Sequence, residues 1–223
     1  MSFTTQVFPS GSYAADAART IADAAPHEGS LVLTGGTTAE KVYAELAKRE
    51  VAWGRLEVLF SDERCVPPGD PASNYGMAER LLFQRSAPKV AHRMRGEDSP
   101  DHAAEQYDAA IRPAVEIGLD LLLVGMGADA HICALFPGSR ALDETSKLCC
   151  AVDRPDGMTG LTLTPPAVLA ARKVLLIVTG EGKAATVKRI IEGNESVPSA
   201  PARLLADHPD VTFLLDEGAA SAL

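Results

Sequence analysis

An aspartate and a histidine two residues apart, Asp129 and His131, follow an apolar run and two glycines in the segment DLLLVGMGADAHICALFPGS. An isolated histidine is usually structural or exposed. This one sits at an expected strand exit, behind Gly125 and Gly127, which permit close backbone approach, with a carboxylate near enough to orient its imidazole. The pattern suits general acid–base chemistry. Three further segments place polar or glycine-rich chemistry after an apolar run. In LVLTGGTTAEKVY, Gly35, Gly36 and Thr37 turn a strand into a helix whose first N–H groups can meet an anion; alone, the segment reads equally well as an ordinary tight turn. In VLFSDERCVPPGDPASNYGMAERLL, Arg64 follows a strand and Asn74 opens a helix, which suits a charge-assisted phosphate contact or a solvated loop with a surface ion pair. In VTGEGKAATVKRI, Lys183 stands in the opening turn of a helix, where the dipole disfavours a cation unless an anion binds between them.

Other chemistry finds little support. No set of His, Cys, Asp and Glu has zinc-site spacing, and the chain shows no Gly-x-Ser-x-Gly elbow, Walker loop or GxGxxG fingerprint. Neither a metal nor a cofactor is expected. His27, His102 and His208 lie in polar stretches and are expected to be exposed, and His92 sits beside Arg93 in a segment with no clear place. Cys65, Cys133, Cys149 and Cys150 have neither CxxC spacing nor disulfide-scaffold density, so four reduced thiols are expected.

The elements that must position these groups alternate along the chain. Strands are expected at residues 30–33, 56–60, 119–124, 148–152, 161–164, 173–178 and 211–215. Helical stretches lie between them: AADAARTIADAA, TTAEKVYAELAKRE, SNYGMAERLLFQR, SPDHAAEQYDAAI, GEGKAATVKRIIEG and APARLLADH. Runs such as DLLLVG imply burial on both faces, hence an α/β, three-layer, doubly wound, mostly parallel sheet with helices on both faces. No linker or repeat interrupts residues 1–223, so a single domain is expected. In such a sheet ligands sit beyond the carboxyl ends of the strands, where all four segments fall.

Bulk properties narrow the partners. A net charge of −9 disfavours nucleic acid, whose backbone requires clustered Lys and Arg, but is silent on one small phosphate ester. The N-terminal stretch lacks the features of a secretory signal, and the longest apolar runs are too short to span a bilayer. A cytoplasmic protein is expected, with no membrane association and no obligate protein partner.

In order over nearly the whole chain, LTGGTTAEKVYAELA, SDERCVP with SNYGMAERLL, HRMRGE, GMGADAHICALFPGS, LTLTPP, TGEGKA and LLADHPDVTFLLDEGAA resemble the 6-phosphogluconolactonase family, related to the glucosamine-6-phosphate deaminases. The resemblance implies a NagB/RpiA-like layout and hydrolysis of 6-phospho-D-glucono-1,5-lactone to 6-phospho-D-gluconate in the pentose phosphate pathway, without a cofactor. It implies that His131 is the base with Asp129 close by, and that Gly35, Gly36, Thr37, Arg64 and Lys183 help to bind the substrate phosphate; Asn74 is expected among the substrate- or phosphate-binding residues with them. Ala130 stands where the family motif carries glycine; Ile132, Cys133 and Ala134 replace Thr, Ala and Ser; Gly160 replaces a frequent arginine. Two alternatives share the likeness: a glucosamine-6-phosphate deaminase or sugar-phosphate isomerase, and a non-catalytic sugar-phosphate sensor. The deaminases resemble H-I-A-F-N-E-P after the histidine, and Phe136 here occupies the position of their glutamate. No DNA-binding module is expected before Thr34 or after Phe213.

Overall fold

Side chains along a strand point alternately to opposite faces, so a strand apolar at every position needs cover on both sides. The central strands follow this rule. Leu31, Leu33, Leu121, Leu123, Leu175 and Ile177 enter one core. Val32, Leu122, Val124, Leu176 and Val178 enter the other. The computed structural model describes residues 3–84 and 86–223. Its strands are β1 (Thr4–Phe8), β2 (Gly29–Leu33), β3 (Leu56–Phe60), β4 (Asp62–Arg64), β5 (Val90–Ala91), β6 (Leu121–Gly125), β7 (Cys149–Asp153), β8 (Thr159–Leu163), β9 (Val174–Val178) and β10 (Val211–Asp216). A seven-stranded sheet has the order β1-β10-β9-β6-β2-β3-β5, and every neighbouring pair in it is parallel.

The helices are α1 (Tyr13–Ala24), α2 (Thr37–Leu46), α3 (Asn74–Ala78), α4 (Pro100–Ile117), α5 (Pro165–Leu169), α6 (Ala184–Glu192) and α7 (Glu217–Ala220). The apolar stripes of α1 and α2 cover the first face through Ala17, Ile21, Val42 and Leu46. Those of α4, α5 and α6 cover the second through Tyr107, Ile111, Val168, Val187 and Ile190. The expected three-layer, doubly wound architecture is present.

The main departure concerns residues 148–152 and 161–164, expected in the parallel sheet. They form the antiparallel hairpin β7–β8 and join β4 in a separate three-stranded sheet. Their connection is too short for a parallel crossover, which needs a dozen or more residues. The Gly157 N–H donates to the Arg154 carbonyl at 3.0 Å, and Gly157 takes φ +83°. The Asp156-Gly157 pair is a hairpin signal. Ser61 stitches the two sheets together: its N–H donates to the Leu33 carbonyl at 2.8 Å and its carbonyl accepts from Leu163 N–H at 2.9 Å. The small sheet thereby stands over the carboxyl edge of the large one.

β1, β4 and β5 were not expected. β1 is a mostly exposed edge strand, β4 is entirely polar, and β5 has two residues. α5 and α7 were also unexpected, and α4 runs past residue 111 to Ile117. His208 is buried rather than exposed, because its Nε2 lies 2.6 Å from the Ala171 carbonyl oxygen and its Nδ1 accepts from Asp210 N–H at 3.2 Å. Those bonds satisfy the ring at the opposite edge of the sheet from the four segments. All four cysteines are free thiols. Among the described residues no helix is long and apolar enough to cross a membrane.

Candidate functional site

The direction of chain travel along the sheet reverses between β2 and β6, because β3 and β5 lie to one side and β9, β10 and β1 to the other. Loops leaving two such strands part in opposite directions and open a crevice at their carboxyl ends. The crevice is lined by Gly35, Gly36, Thr37, Arg64, His131 and Lys183, drawn from all four segments.

The loop after β2 needs both glycines. Gly36 takes φ +96°, a left-handed conformation that side chains resist. A Cβ on Gly35 would lie 1.8 Å from Asn74 Oδ1. The first intrahelical bond of α2 is Glu40 N–H to the Gly36 carbonyl, so the amides of Thr37, Thr38 and Ala39 precede any helical partner and favour an anion. The Thr38 hydroxyl lies 2.7 Å from that of Thr179, tying this loop to the exit of β9.

Arg64 ends β4. Its Nη1 donates to the Ala72 carbonyl at 2.7 Å and to Asn74 Oδ1 at 2.8 Å. Asn74 in turn donates from Nδ2 to the Asp62 carbonyl at 2.9 Å and to Asp62 Oδ2 at 3.2 Å. Asn74 is 1% exposed and lies behind Gly35, outside the cleft lining. Its observed bonds place it behind Arg64, where it holds the guanidinium rather than lining the cleft. Beside it, buried Glu63 accepts from the N–H groups of Arg64, Asn74 and Tyr75 and from the Ser73 hydroxyl. Burial pushes this carboxyl up, against the downward pull of the bonds it accepts.

His131 closes a tight hairpin. Gly127 N–H donates to the His131 carbonyl at 3.0 Å, and Ala130 N–H to the Gly127 carbonyl at 3.1 Å. Within this turn Nδ1 of His131 lies 2.6 Å from Asp129 Oδ1, which also accepts the His131 N–H at 3.2 Å. With Nδ1–H donating to the carboxylate, Nε2 keeps its lone pair. A Cβ on Gly127 would stand 2.2 Å from His131 Nδ1 and 2.4 Å from Asp129 Oδ1, so only glycine lets the pair close. The Phe136 ring packs on the imidazole with centroids 4.7 Å apart.

Lys183 is the N-cap of α6 and makes no ion pair among the described residues. Burial lowers its pKa below the ordinary lysine value, partly opposed by Asp216. Together these groups set a carboxylate-oriented imidazole in one cleft with two cations and a helix start. Asp62, Cys133 and Arg154 also line this cleft, although none was singled out as a site residue from the sequence. The strand-exit position of Asp62 was the available signal; Arg154 falls in a stretch that reads as loop. No group of three or more His, Cys, Asp or Glu among the described residues is placed to hold a metal ion.

A family model described as glucosamine-6-phosphate isomerases/6-phosphogluconolactonase matches residues 10–213. The chain belongs to this family. A human 6-phosphogluconolactonase is 36% identical over 87% of this chain and 80% of its own length. The solved 6-phosphogluconolactonase of Trypanosoma cruzi is 27% identical with TM-score 0.86, covering 100% of this chain and 98% of that one. A monomeric glucosamine-6-phosphate deaminase has TM-score 0.87 at 23% identity, covering 99% of this chain and 100% of that one, and shows the shared fold.

Two departures from the family motif have a physical setting. Ala130 takes φ +69°, the left-handed third position of a three-residue hairpin loop, where glycine is preferred. Ala202 N–H holds its carbonyl at 2.9 Å, helping to fix the turn despite the methyl group. Gly160 faces the Arg154 side chain, whose Cδ would lie 3.0 Å from a Cβ at position 160.

Proposed function

We propose that the chain hydrolyses 6-phospho-D-glucono-1,5-lactone to 6-phospho-D-gluconate, with His131 as the base that activates water. The observation that carries this reading is the Asp129–His131 pair at 2.6 Å in the same cleft as the α2 amides, Arg64 and Lys183. The cations and amides hold the phosphate, which fixes the lactone carbonyl near the imidazole and converts remote binding into orientation. Nε2 takes a proton from water as its oxygen attacks C1. The tetrahedral intermediate then breaks the bond between C1 and the ring oxygen, and the imidazolium returns the proton to that oxygen. Asp129 keeps the productive tautomer and supports the imidazolium charge. At neutral pH the new carboxyl ionises, releasing one proton per turnover.

Phe136 favours this reaction over deamination or isomerisation, because an apolar ring packs where the deaminase motif supplies a further proton-handling carboxylate. The cytoplasm is the proposed location. The test is acid release from freshly prepared phosphorylated lactone, corrected for spontaneous opening, with glucosamine 6-phosphate in parallel. Acceleration of lactone opening alone is expected. A protein that binds 6-phosphogluconate without accelerating opening is a sensor, and one that releases ammonia is a deaminase.

A further inference from the structure

Arg154 follows β7, inside the turn that joins it to β8, and its side chain is 12% exposed. It lies across the face of Gly160 and reaches the cleft lining. Its guanidinium carbon is 5.5 Å from the Phe136 centroid, and Phe136 is the ring packed on His131. Nε and Nη2 both donate to Asp156 Oδ2, at 3.1 and 2.9 Å. That fork fixes the plane of the guanidinium while Nη1 has no hydrogen-bond partner among the described residues. A planar, permanently charged donor with one edge clamped and the other unspent is organised to meet an oxyanion. Arg64 differs, because its Nη1 is already committed to Ala72 and Asn74.

We infer that Arg154 is a substrate-binding residue at the reactive end of the cleft, its Nη1 donating to the C1 oxygen that carries negative charge in the intermediate and in the product carboxylate. The assignment rests on the lactonase reading for its catalytic consequence. On the reading above, the α2 amides, Arg64 and Lys183 take the phosphate, and Arg154, beside the ring packed on His131, discriminates between ligands by what they carry at C1. The consequence for binding is separable: a phosphorylated open chain ending in a carboxylate engages Arg154, whereas the corresponding polyol does not.

The test compares the parent with Arg154→Gln in calorimetric titration against 6-phosphogluconate and glucitol 6-phosphate, beside lactone turnover and thermal unfolding. Arg154→Gln is expected to weaken 6-phosphogluconate binding by about 10- to 100-fold, the loss of one hydrogen bond to a charged group, while glucitol 6-phosphate binding is unchanged. Turnover of phosphorylated lactone falls through kcat. Equal losses for both ligands would place Arg154 on the phosphate and overturn the inference; so would no loss for either. Should Arg154→Gln fail to fold, Asp156→Asn, which frees the fork from the exposed side, decides by the same comparison. It is expected to narrow the preference for the carboxylate ligand, and an unchanged preference overturns the inference. A parent that opens no lactone yet loses its carboxylate preference in Arg154→Gln defeats the hydrolase reading and leaves this one standing.

Discussion

His131 is the residue on which the proposed chemistry turns, and its neighbourhood offers a way to tell a chemical role from a structural one. The ring is about one-third exposed, and its only side-chain hydrogen bond among the described residues is to Asp129. Replacing it with Asn should cost roughly 10²- to 10⁴-fold in kcat, the usual contribution of general base catalysis, with product binding and thermal stability retained. A stable variant with parental kcat, measured by acid release, would reassign the base. Lys183 yields a pH prediction. Burial lowers its pKa below the ordinary lysine value, so its charge, and the phosphate affinity proposed for it, is present below that lowered pKa and lost as pH rises through it. Titration of 6-phosphogluconate at increasing pH should show this alkaline limb, and Lys183→Arg, whose guanidinium stays charged, should lack it. A limb that persists in the variant belongs to another group. The Asp-x-His spacing and its glycines made this pair legible in the sequence. Arg154 was not, because a turn residue reaches its place only through the pairing of β7 with β8, a non-local fact.

At the scale of elements, three helices reach the sheet with a buried tyrosine hydroxyl. Tyr43 of α2 donates to the Thr34 carbonyl at 2.8 Å and accepts Thr34 N–H at 2.9 Å. Tyr107 of α4 makes the same pair of bonds with Phe60, at 2.8 and 2.7 Å, and Tyr13 of α1 donates to the Leu214 carbonyl at 2.8 Å. All three hydroxyls are pushed up in pKa chiefly by burial and remain donors across the ordinary pH range. Each meets a strand near its carboxyl end, where ladder bonding runs out and the site loops begin. Tyr43→Phe leaves both Thr34 backbone groups without this partner, so it should destabilise the fold by about 1–3 kcal/mol in denaturant titration and raise KM by loosening the loop that carries Gly35 and Gly36. Unchanged stability would mean that water replaces the hydroxyl. Helical period and continuous apolar runs exposed α1, α2 and most of the parallel strands to sequence reading. β4 escaped because Asp62, Glu63 and Arg64 have the composition of a loop; their burial follows from Asn74, Ser73 and the β8 pairing that satisfy them.

For the whole molecule, the sheet is the shared wall of two cores, and its central strands contribute side chains to both. Loss of either helical layer exposes one full face of those strands, so neither layer has an independent route to unfolding. Residues 1–223 are accordingly proposed to unfold in one transition, with calorimetric and van't Hoff enthalpies in agreement; two separable transitions would divide the chain into two domains. The same topology brings together chemistry that is scattered along the sequence, since the crevice between β2 and β6 collects segments from residue 34 to residue 183. The tyrosine bonds to that crevice have a consequence in time. Amides at strand ends ordinarily exchange with solvent by local fraying. Those of Thr34 and Phe60 are instead held by hydroxyls buried beneath opposite helical layers, so their deuterium uptake should be as slow as that of mid-strand amides such as Leu122. The floor of the cleft would then keep its shape between one ligand and the next.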